Sequence, residues 1–405
     1  MFAKFFLTLC CCCGLVSLAN GQRRPLPLVE VREAPAVILP GGSVGTGALL
    51  SIDCNSPVEW DSAGNLFLFT SSQHPYRTSG ANLYELEWPA NPVTLFPRAD
   101  VRGGIWLEAT YRAGDGKLYG WYHNEPPGIC GSSSRLTAPR IGALVSYDDG
   151  LSWQNLGIVL EAPTGTLNCG TQNYYFAGGN GDFSVLLDQS TQYFYFFFST
   201  YHQQVAEQGV AVARLRFEDR DAPVGKVVKW HNGGWNEPGL GGRVTVTIPV
   251  QVDWHRANAN AYWGAAVHYN TYLESHVMLL NHAIDKNWTQ EGIYISFNDD
   301  LSNPLGWSAP QRLPLSGKTD WYPQVIGTEG GETDKLASQV ARFFMSGRSL
   351  WQLVFHRTDN EEPGPVSIPT RPDLPERREI IRNALPPLPV AEIPVEPAKR
   401  RRPLQ

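Results

Sequence analysis

The sequence predicts an all-β protein, and more specifically a five-bladed β-propeller. Short runs of β-branched and aromatic residues recur along the chain between Gly, Pro, Asn and Asp, a pattern typical of strands and turns. One strand–turn–strand plan also opens five times, at intervals of roughly 50 to 80 residues. Because no single small sheet can bury both of its faces, the repeat predicts radially arranged blades over residues 45–357.

The five openings share a strand, a polar turn and a second strand. They begin at Asn55, Ile105, Asp182, Trp263 and Trp321. Each of the three middle openings is followed by a third strand, such as "IGALVSYDD" or "GIYISFNDD". We expect each opening to start one blade, with its first strand innermost against a central channel. The terminal segment that closes the ring cannot be identified at this level.

The two ends of the chain are expected to lie outside the propeller. Residues 1–19 combine a positive charge, a short apolar run, and the small residues Ser17 and Ala19, as in a cleaved secretory signal. The protein is therefore expected to be secreted or periplasmic. Residues 20–44 are interpreted as an N-terminal extension. Residues 358–405 are dense in proline and charge and are interpreted as a disordered tail.

Charge and motif content exclude several classes of protein. The formal net charge is −6, and the acidic body weighs against nucleic-acid and anionic-membrane partners. After the signal no long apolar run follows, so no membrane span is expected. The chain has no Gly-rich phosphate loop with lysine, no Gly-x-Ser-x-Gly elbow and no His-Glu-x-x-His motif. We expect a monomer.

Three cysteines remain after the predicted signal, namely Cys54, Cys130 and Cys169. An oxidising compartment favours a disulfide. Cys130 and Cys169 both lie in Gly-rich, loop-like surroundings, so their pairing would leave Cys54 as a free thiol. The alternative is three unpaired structural thiols. Their spacing fits no zinc site, and no metal site is predicted from them.

The stretch "SYDDGLSW", Ser146–Trp153, resembles the Asp-box turn of sialidase-like propellers. Asp148 is expected to accept hydrogen bonds within the turn, Gly150 to adopt a positive φ angle, and Trp153 to pack between sheets. A looser copy, "SFNDDLSNPLGW", spans Ser296–Trp307. The resemblance implies a structural turn on the rim, away from any active site.

Acidic residues occur near the start of three predicted inner strands. They are Asp53, Glu108 and Asp182. Side chains at these positions would face one end of the channel, where they would be partly desolvated and near one another. Such an arrangement costs stability, which favours a functional site. Asp53 and Asp182 are also consistent with turn positions, and Glu108 with an arginine partner.

Two stretches, "NGDFSVLLD" and "IWLEATYRAGDGKLYGWYH", resemble inner-strand motifs of five-bladed glycoside hydrolases, the arabinanase and β-xylosidase clan that includes family 43. The likeness spans most of residues 51–355 at the level of blade pattern. It implies acid/base cleavage of a polysaccharide or oligosaccharide at the channel mouth. Carried over by position, Asp53 is the candidate base, and Asp182 orients and tunes the reacting groups.

The family takes its acid from the fourth blade, where "WGAAVHYN" has no carboxylate. His268 is one candidate for this role, and Glu108 or Glu237 are others. His268 is also consistent with a core histidine or with a ligand of a structural Ca²⁺ in the channel; no cofactor is required. His123 and Glu125 are placed in a loop, where they would contact substrate or solvent. Inverting hydrolysis would separate the two carboxyl groups by roughly 6.5–9.5 Å.

Five further residues near inner-strand starts are candidate substrate contacts, and they are Trp106, Trp263, Trp321, Asn55 and Gln324. Indole faces stack on sugar rings, although each tryptophan is equally consistent with core packing. A glycoside hydrolase is therefore the leading hypothesis. The missing fourth-blade carboxylate favours an alternative, a non-catalytic propeller that binds carbohydrate or protein. A sialidase is weaker, because it would need a cluster of arginines. Convergence of the three acids on one pocket discriminates between catalysis and binding.

Overall fold

The structure is a computed structural model that describes residues 25–44 and 47–357, and these residues form five sheets. The sheets surround one channel as a five-bladed propeller, which confirms the predicted fold class. The predicted signal (1–19) and tail (358–405) lie outside the described residues. Within the described part, no helix is long and apolar enough to cross a membrane.

The described residues contain 24 strands and two short 3-10 turns, Val205–Glu207 and Phe217–Asp219. The strands in chain order are β1 (Leu28–Ile38), β2 (Val58–Trp60), β3 (Leu66–Ser71), β4 (Pro75–Gly80), β5 (Asn91–Pro92), β6 (Thr94–Phe96), β7 (Gly104–Arg112), β8 (Leu118–Glu125), β9 (Arg140–Ser146), β10 (Ser152–Leu160), β11 (Asn180–Leu187), β12 (Tyr193–Thr200), β13 (Gly209–Arg216), β14 (Val228–His231), β15 (Gly234–Pro238), β16 (Ile248–Pro249), β17 (Ala261–Asn270), β18 (Ser275–Ala283), β19 (Gln290–Asn298), β20 (Gln311–Arg312), β21 (Gln324–Gly327), β22 (Leu336–Ala337), β23 (Val340–Met345) and β24 (Arg348–His356).

Each sheet is one blade whose strands run outward from the channel. Blade 1 has the order β2-β3-β4-β5, and blade 2 the order β7-β8-β9-β10-β6. Blade 3 begins with β11, blade 4 with β17 and blade 5 with β21. The inner strands of neighbouring blades contact each other, so the starts of all five meet at one end of the channel. That end is called the upper end below.

The N-terminal strand closes the ring. β1 pairs antiparallel with β24, with Leu28 opposite His356, and so becomes the outer strand of the blade that also holds the last strands of the chain. The propeller therefore begins before the predicted residue 45, within the segment interpreted as an extension. The physical reason is its alternation: Val29 and Val31 pack against the core, whereas Glu30 and Arg32 form an ion pair.

Aromatic side chains fill the upper end of the channel. Eight of them, termed the aromatic cap, come from segments that precede or begin the inner strands of blades 3, 4 and 5 and from nearby loops: Tyr175, Phe176, Tyr201, Trp254, Trp263, Trp288, Trp321 and Tyr322. Neighbouring rings pack mostly edge to face at 4.6–6.2 Å. Burying each such side chain contributes about 1.5–3 kcal/mol, so the cap also stabilises the ring.

The turn between β9 and β10 has the hydrogen bonds expected of an Asp box. The Ser146 hydroxyl donates to Asp148 Oδ1 at 2.7 Å, and the Ser152 amide donates to the same oxygen at 2.9 Å. Gly150 has a φ of 79°, where an L side chain would be strained. Trp153 is fully buried against Phe69 of blade 1. The turn therefore joins two blades.

Cys130 and Cys169 form a disulfide with a Cα–Cα distance of 5.5 Å, and Cys54 is a buried free thiol. The disulfide prediction is confirmed, and the alternative of three unpaired thiols is wrong. The bond joins the loop between β8 and β9 to the connection between β10 and β11. Two segments on the upper side of blades 2 and 3 are thereby held together.

Candidate active site

Local irregularities in two inner strands place Glu108 and Asp182. The ladder between β7 and β8 shifts register between Leu107 and Ala109, and the ladder between β11 and β12 shifts between Gly181 and Phe183. Asp182 itself has a φ of 44°, an uncommon value for a residue with a side chain. Bulges re-aim side chains and strained residues concentrate at functional sites, so this geometry marks Asp182 as a site candidate.

Glu108, His123 and Asp182, termed the hub cluster, meet near the upper end of the channel. One ligating atom from each lies within 4.8 Å of the others. His123 Nδ1 accepts the Asp182 amide hydrogen at 3.1 Å, and it lies 3.7 Å from Glu108 Oε1. The Phe183 amide donates to Glu108 Oε2 at 2.7 Å. Two of the three predicted acids therefore converge, and they do so around a histidine.

The environment of His123 sets its protonation. Burial lowers the pKa of His123, but the hydrogen bond to Glu125 and the charges of Asp182 and Glu108 together raise it above the ordinary value. The Asp182 amide opposes protonation at Nδ1, so the proton of the neutral ring sits on Nε2. Gly181 leaves room for the ring, because a Cβ there would lie 2.6 Å from His123 Cε1.

Asp53 lies close to the hub cluster on the blade 1 side. Tyr322 donates its hydroxyl hydrogen to Asp53 Oδ1 at 3.2 Å. The thiol of the neighbouring Cys54 lies 3.7 Å from the Leu107 carbonyl oxygen, next to Glu108 along β7. Burial, together with the charges of Glu108 and Asp53, raises the pKa of that thiol well above its usual range. All three predicted acids therefore occupy the same end of the channel.

The predicted acids are buried, and two tyrosines of the aromatic cap contact two of them. Asp53 and Asp182 are each 2 % exposed and Glu108 is 4 % exposed. Tyr201 donates to Asp182 Oδ2 at 2.7 Å, much as Tyr322 caps Asp53.

The predicted sugar-stacking residues are all buried. Trp263 packs in the aromatic cap against Trp288, and the Trp321 indole N–H donates to the Trp288 carbonyl oxygen at 3.1 Å. Trp106 is 3 % exposed and packs against His123. Since stacking needs an exposed ring face, none of the three offers a sugar platform in this conformation.

Asn55 and Gln324 are also buried. The Gln324 amide bridges blades 5 and 1, because its Nε2 donates to the Ser56 carbonyl oxygen at 2.9 Å and its Oε1 accepts the Ser56 amide hydrogen. Asn55 is 8 % exposed and directly precedes Ser56. The contacts of Gln324 thus join two blades.

His268, predicted as a possible acid, does not lie in the hub cluster. The nearest blade 4 residue to Asp182 is Gly264, whose added Cβ would lie 4.0 Å from the Asp182 Cβ. His268 is four residues further along β17, and the amide of its neighbour Val267 donates to the hydroxyl of Ser184, two residues beyond Asp182, at 3.1 Å. It packs beside Phe355, and burial, with the charge of His276, lowers its pKa to about 3. The acid role of His268 is therefore corrected.

A structural Ca²⁺ in the channel stays a prediction. That ion takes six to eight oxygen ligands, whereas His268 lies beside an aromatic ring. In the hub cluster, Glu108 Oε2 and His123 Nδ1 already accept backbone amide hydrogens. Glu237, another candidate acid, lies in β15 on the outer side of blade 3, where it accepts the Arg243 amide hydrogen.

An open cleft adjoins the hub cluster on the upper side of blade 2. It encloses about 620 Å³, including space open to solvent. The side chains that matter for its chemistry are Gln73, Trp106, Glu125, Arg135, Tyr174 and Tyr175. Glu125 is the one carboxylate among its lining residues, and its side chain is 13 % exposed. This feature is termed the blade 2 cleft.

Glu125 connects the blade 2 cleft to the hub cluster. His123 Nε2 lies 3.0 Å from Glu125 Oε1 and donates its hydrogen there, while Nδ1 on the other side of the ring faces Glu108 and Asp182. One imidazole thus separates an accessible carboxylate from two buried ones. A ligand or solvent molecule that contacts Glu125 is thereby coupled electrostatically, through His123, to Glu108 and Asp182.

Sequence reasoning placed His123 and Glu125 in a loop, which is wrong, because both belong to β8 and His123 is 1 % exposed. The available signal was the pairing of β8 with β7, in which His123 lies opposite Trp106, so that His123 belongs to the strand. Arg135, Tyr174 and Tyr175 were not identified as candidates. They lie in irregular loops that approach each other only through the fold and the disulfide.

No family model and no curated protein matches this chain. Among solved structures, it is similar to an exo-β-1,3-galactanase from Phanerochaete chrysosporium, at 12 % identity and TM-score 0.44 over 81 % of this chain and 63 % of that one. It is also similar to an endo-arabinase from Bacteroides thetaiotaomicron (12 %, TM-score 0.43, 77 % and 98 % covered). A third is an α-L-arabinofuranosidase from Lactobacillus brevis (14 %, TM-score 0.45, 74 % and 89 % covered).

Proposed function

We propose that the protein is a glycoside hydrolase that cleaves a polysaccharide or oligosaccharide bound in the blade 2 cleft. The observation that carries this proposal is the set of contacts around His123: it donates to Glu125, lies 3.7 Å from Glu108, and accepts the Asp182 backbone amide hydrogen. Placing several ionisable groups deep in a protein costs stability, and such groups are frequent at catalytic sites.

Glycoside hydrolysis needs one carboxylate to activate water and one carboxylic acid to protonate the leaving oxygen. Glu125 suits the base, since it faces the cleft and accepts the His123 hydrogen. Glu108 suits the acid by its position, because it lies across the His123 ring from Glu125. These carboxyl groups lie on opposite sides of one imidazole, an arrangement compatible with the roughly 6.5–9.5 Å of inverting enzymes.

Access to the second carboxyl group requires movement. The substrate reaches Glu125 directly, but Glu108 lies behind the packed rings of Trp106 and His123. In the proposal these rings shift when a sugar fills the cleft. Asp182 keeps the tuning role proposed from the sequence, and Asp53 contributes negative charge beside it.

The test is release of reducing ends from arabinan, xylan and agar-type oligosaccharides by the purified mature chain. We expect turnover on at least one of them, and we expect Glu125→Gln and Asp182→Asn to lower it about 10²- to 10⁴-fold. Glu237→Gln is the matched control, because Glu237 lies in the outer part of blade 3. If the protein is folded but turns over none of these substrates, the hydrolase proposal is refuted.

A non-catalytic carbohydrate-binding propeller is the second candidate. Two observations favour it: the hub acids are buried, and blade 4 places Gly264 beside Asp182. This candidate predicts saturable oligosaccharide binding in the blade 2 cleft with no product release. A sialidase is not favoured, because Arg135 is the one arginine among the residues lining the cleft.

We also propose export and a monomeric state. The Cys130–Cys169 disulfide supports an oxidising compartment, since such bonds are rare where thiols are kept reduced. The mass of the secreted chain should show cleavage before Asn20, and size-exclusion chromatography with light scattering should give one chain. Intact residues 1–19 on the mature protein would contradict the export proposal.

A further inference from the structure

A guanidinium group lies fixed in the blade 2 cleft. The Arg135 Cζ is 4.1 Å from the centroid of the Tyr174 ring, and one of its nitrogens contacts the Tyr174 hydroxyl. Both side chains line the cleft. Stacking on an aromatic ring restricts the rotamers of arginine while leaving most of its five N–H donors available. The group is therefore held in place for a ligand.

The charge of Arg135 is uncompensated within the described residues. No carboxylate of residues 25–44 or 47–357 lies within 4.0 Å of its nitrogens, whereas other arginines are paired, as Arg98 is with Asp100 and Arg312 with Glu291. Arg135 is also exposed to solvent. An exposed, oriented guanidinium without an internal anion is well suited to an external carboxylate or sulfate, which it binds through two parallel hydrogen bonds.

The loop that carries Arg135 is held rigidly against the tyrosine segment. The Thr137 amide donates to the Tyr175 carbonyl oxygen at 3.1 Å, and the Ala177 amide donates to the Thr137 carbonyl oxygen at 2.9 Å. The Cys130–Cys169 disulfide ties the same two segments. Ordering of the binding groups is thus completed on folding, so a ligand would not have to supply it.

Charge inside the cleft also sets an orientation. Glu125, the one carboxylate among the lining residues, repels an anion from the floor next to His123, and Arg135 attracts it toward the loop. A sugar with a single negative group would therefore bind with that group at Arg135. A neutral part of the ligand would then face Glu125.

We propose that the cleft ligand is an acidic oligosaccharide, bearing a uronate carboxylate or a sulfate that binds Arg135 over Tyr174. The inference rests on the proposed function for the identity of the ligand as a sugar. It adds the charge class of the substrate and a specificity-determining residue.

The experiment measures affinity by calorimetry for three probes: a galacturonic acid trisaccharide, its fully methyl-esterified form, and a sulfated galactose trisaccharide. We expect at least one anionic probe to bind about 10- to 100-fold more tightly than the neutral ester, with an affinity that falls as salt rises. Preference for the uronate or for the sulfate identifies the anion source. Equal affinity of all three, or binding of the ester alone, would overturn the inference, as would failure of both anionic probes to bind.

Variants distinguish specific binding of the anion by Arg135 from attraction by positive charge elsewhere on the protein. Arg135→Ala should abolish the anionic preference and leave ester affinity within about two-fold, and Arg135→Lys should restore part of it, because lysine lacks the bidentate geometry. Arg256→Ala is the matched control, since Arg256 is exposed and does not line the cleft. An unchanged preference in Arg135→Ala would refute the site even if the fold is intact by circular dichroism.

Failure of this inference is distinguishable from failure of the proposed function. If anionic probes bind in a way that depends on Arg135 but no product is released, the anion subsite is supported and the hydrolase proposal is refuted. If neutral arabinan or xylan is turned over and Arg135→Ala does not change the rate, the hydrolase proposal is supported and the inference of an acidic substrate is refuted.

Discussion

Two buried carboxylates of the same channel have different charge partners. Glu59 of blade 1 accepts a hydrogen bond from Thr110 at 2.8 Å, and Lys335 Nζ lies 3.1 Å from it. Glu108 is two residues before Thr110 on β7, on the same face of the strand, but it lies beside the imidazole of His123. Lysine supplies a permanent charge at Glu59, whereas the charge beside Glu108 depends on pH.

The difference separates a structural group from a candidate catalytic one. Asp334 also contacts Lys335, at 2.8 Å, and burial lowers the pKa of Lys335 less than the charges of Asp334 and Glu59 raise it. Lys335 therefore stays protonated and links Glu59 of blade 1 to Asp334, which lies before β22. The hub cluster, by contrast, connects through the His123–Glu125 hydrogen bond to the blade 2 cleft.

The largest expected effect comes from Glu59→Gln. The substitution leaves the Lys335 charge partly buried with Asp334 alone, so the free energy of unfolding should fall by about 3 kcal/mol, the lower end for breaking a buried ion pair. Glu108→Gln should cost about 1 kcal/mol, because the amide oxygen still accepts the Phe183 hydrogen. Urea denaturation compares the two. Equal losses would remove the distinction between the groups.

Removing the disulfide tests whether the cleft walls are independent of the hub. Cys130→Ser with Cys169→Ser should lower the free energy of unfolding by about 3 kcal/mol, which is within the usual range for loss of a native disulfide. It should also weaken oligosaccharide binding, because the Arg135 loop loses a restraint. Cys54→Ser is the control, since it lies at the hub and outside the cleft. Unchanged binding in the double variant would show that the disulfide does not organise the cleft.

Two of the buried histidines, His268 and His123, should respond to pH with opposite signs. His268 has a pKa lowered to about 3 by burial and the charge of His276, so it stays neutral in the fold while the unfolded chain takes up a proton below about pH 6.5. Its contribution to stability is therefore present near neutrality and is lost on acidification, by up to about 1.4 kcal/mol per pH unit.

His123 behaves differently because its pKa is raised, so its contribution is present in acid and is lost as the pH rises through the folded-state value. His268→Gln should flatten the decline of stability between about pH 6.5 and 4.5, and His123→Gln should not. Urea denaturation at several pH values measures both slopes. A flattening in the His123 variant alone would reverse the assignment.

The smallest expected effect lies in the Asp-box turn. Asp148→Ala removes the acceptor for Ser146 and Ser152 and should lower the free energy of unfolding by about 1 kcal/mol. Oligosaccharide binding should be unchanged, because this turn lies at the end of blade 2 opposite the β8–β9 loop. A loss of affinity would mean that the turn is coupled to the site.

Repeats and strand patterns were sufficient to predict the propeller and the approach of Asp53, Glu108 and Asp182. Each inner strand carries its own signal, and the radial symmetry places its start near the others. The pattern could not show that β1 completes blade 5, because the partner strand β24 is over 300 residues away. Nor could it show that the tryptophans close the channel, since buried and exposed indoles have the same local sequence.

The accessible part of the site depended on tertiary structure. Arg135 and Tyr174 come from two loops whose ends are fixed by backbone bonds and a disulfide. His123 was misplaced because the strand β8 continues beyond the apolar run into polar residues, which are satisfied by partners from β7 and β11. Such partners are not visible in a single segment.

The most direct test of the account measures kcat and the dissociation constant of Glu125→Gln on the best substrate of the wild-type protein. We propose that Glu125 is the base of the reaction and is coupled through His123 to the hub cluster. In Glu125→Gln, kcat should therefore fall by about 10²- to 10⁴-fold, while the dissociation constant changes less than about threefold. An unchanged kcat would contradict the account, because the one carboxylate that faces the cleft would then have no part in the chemistry.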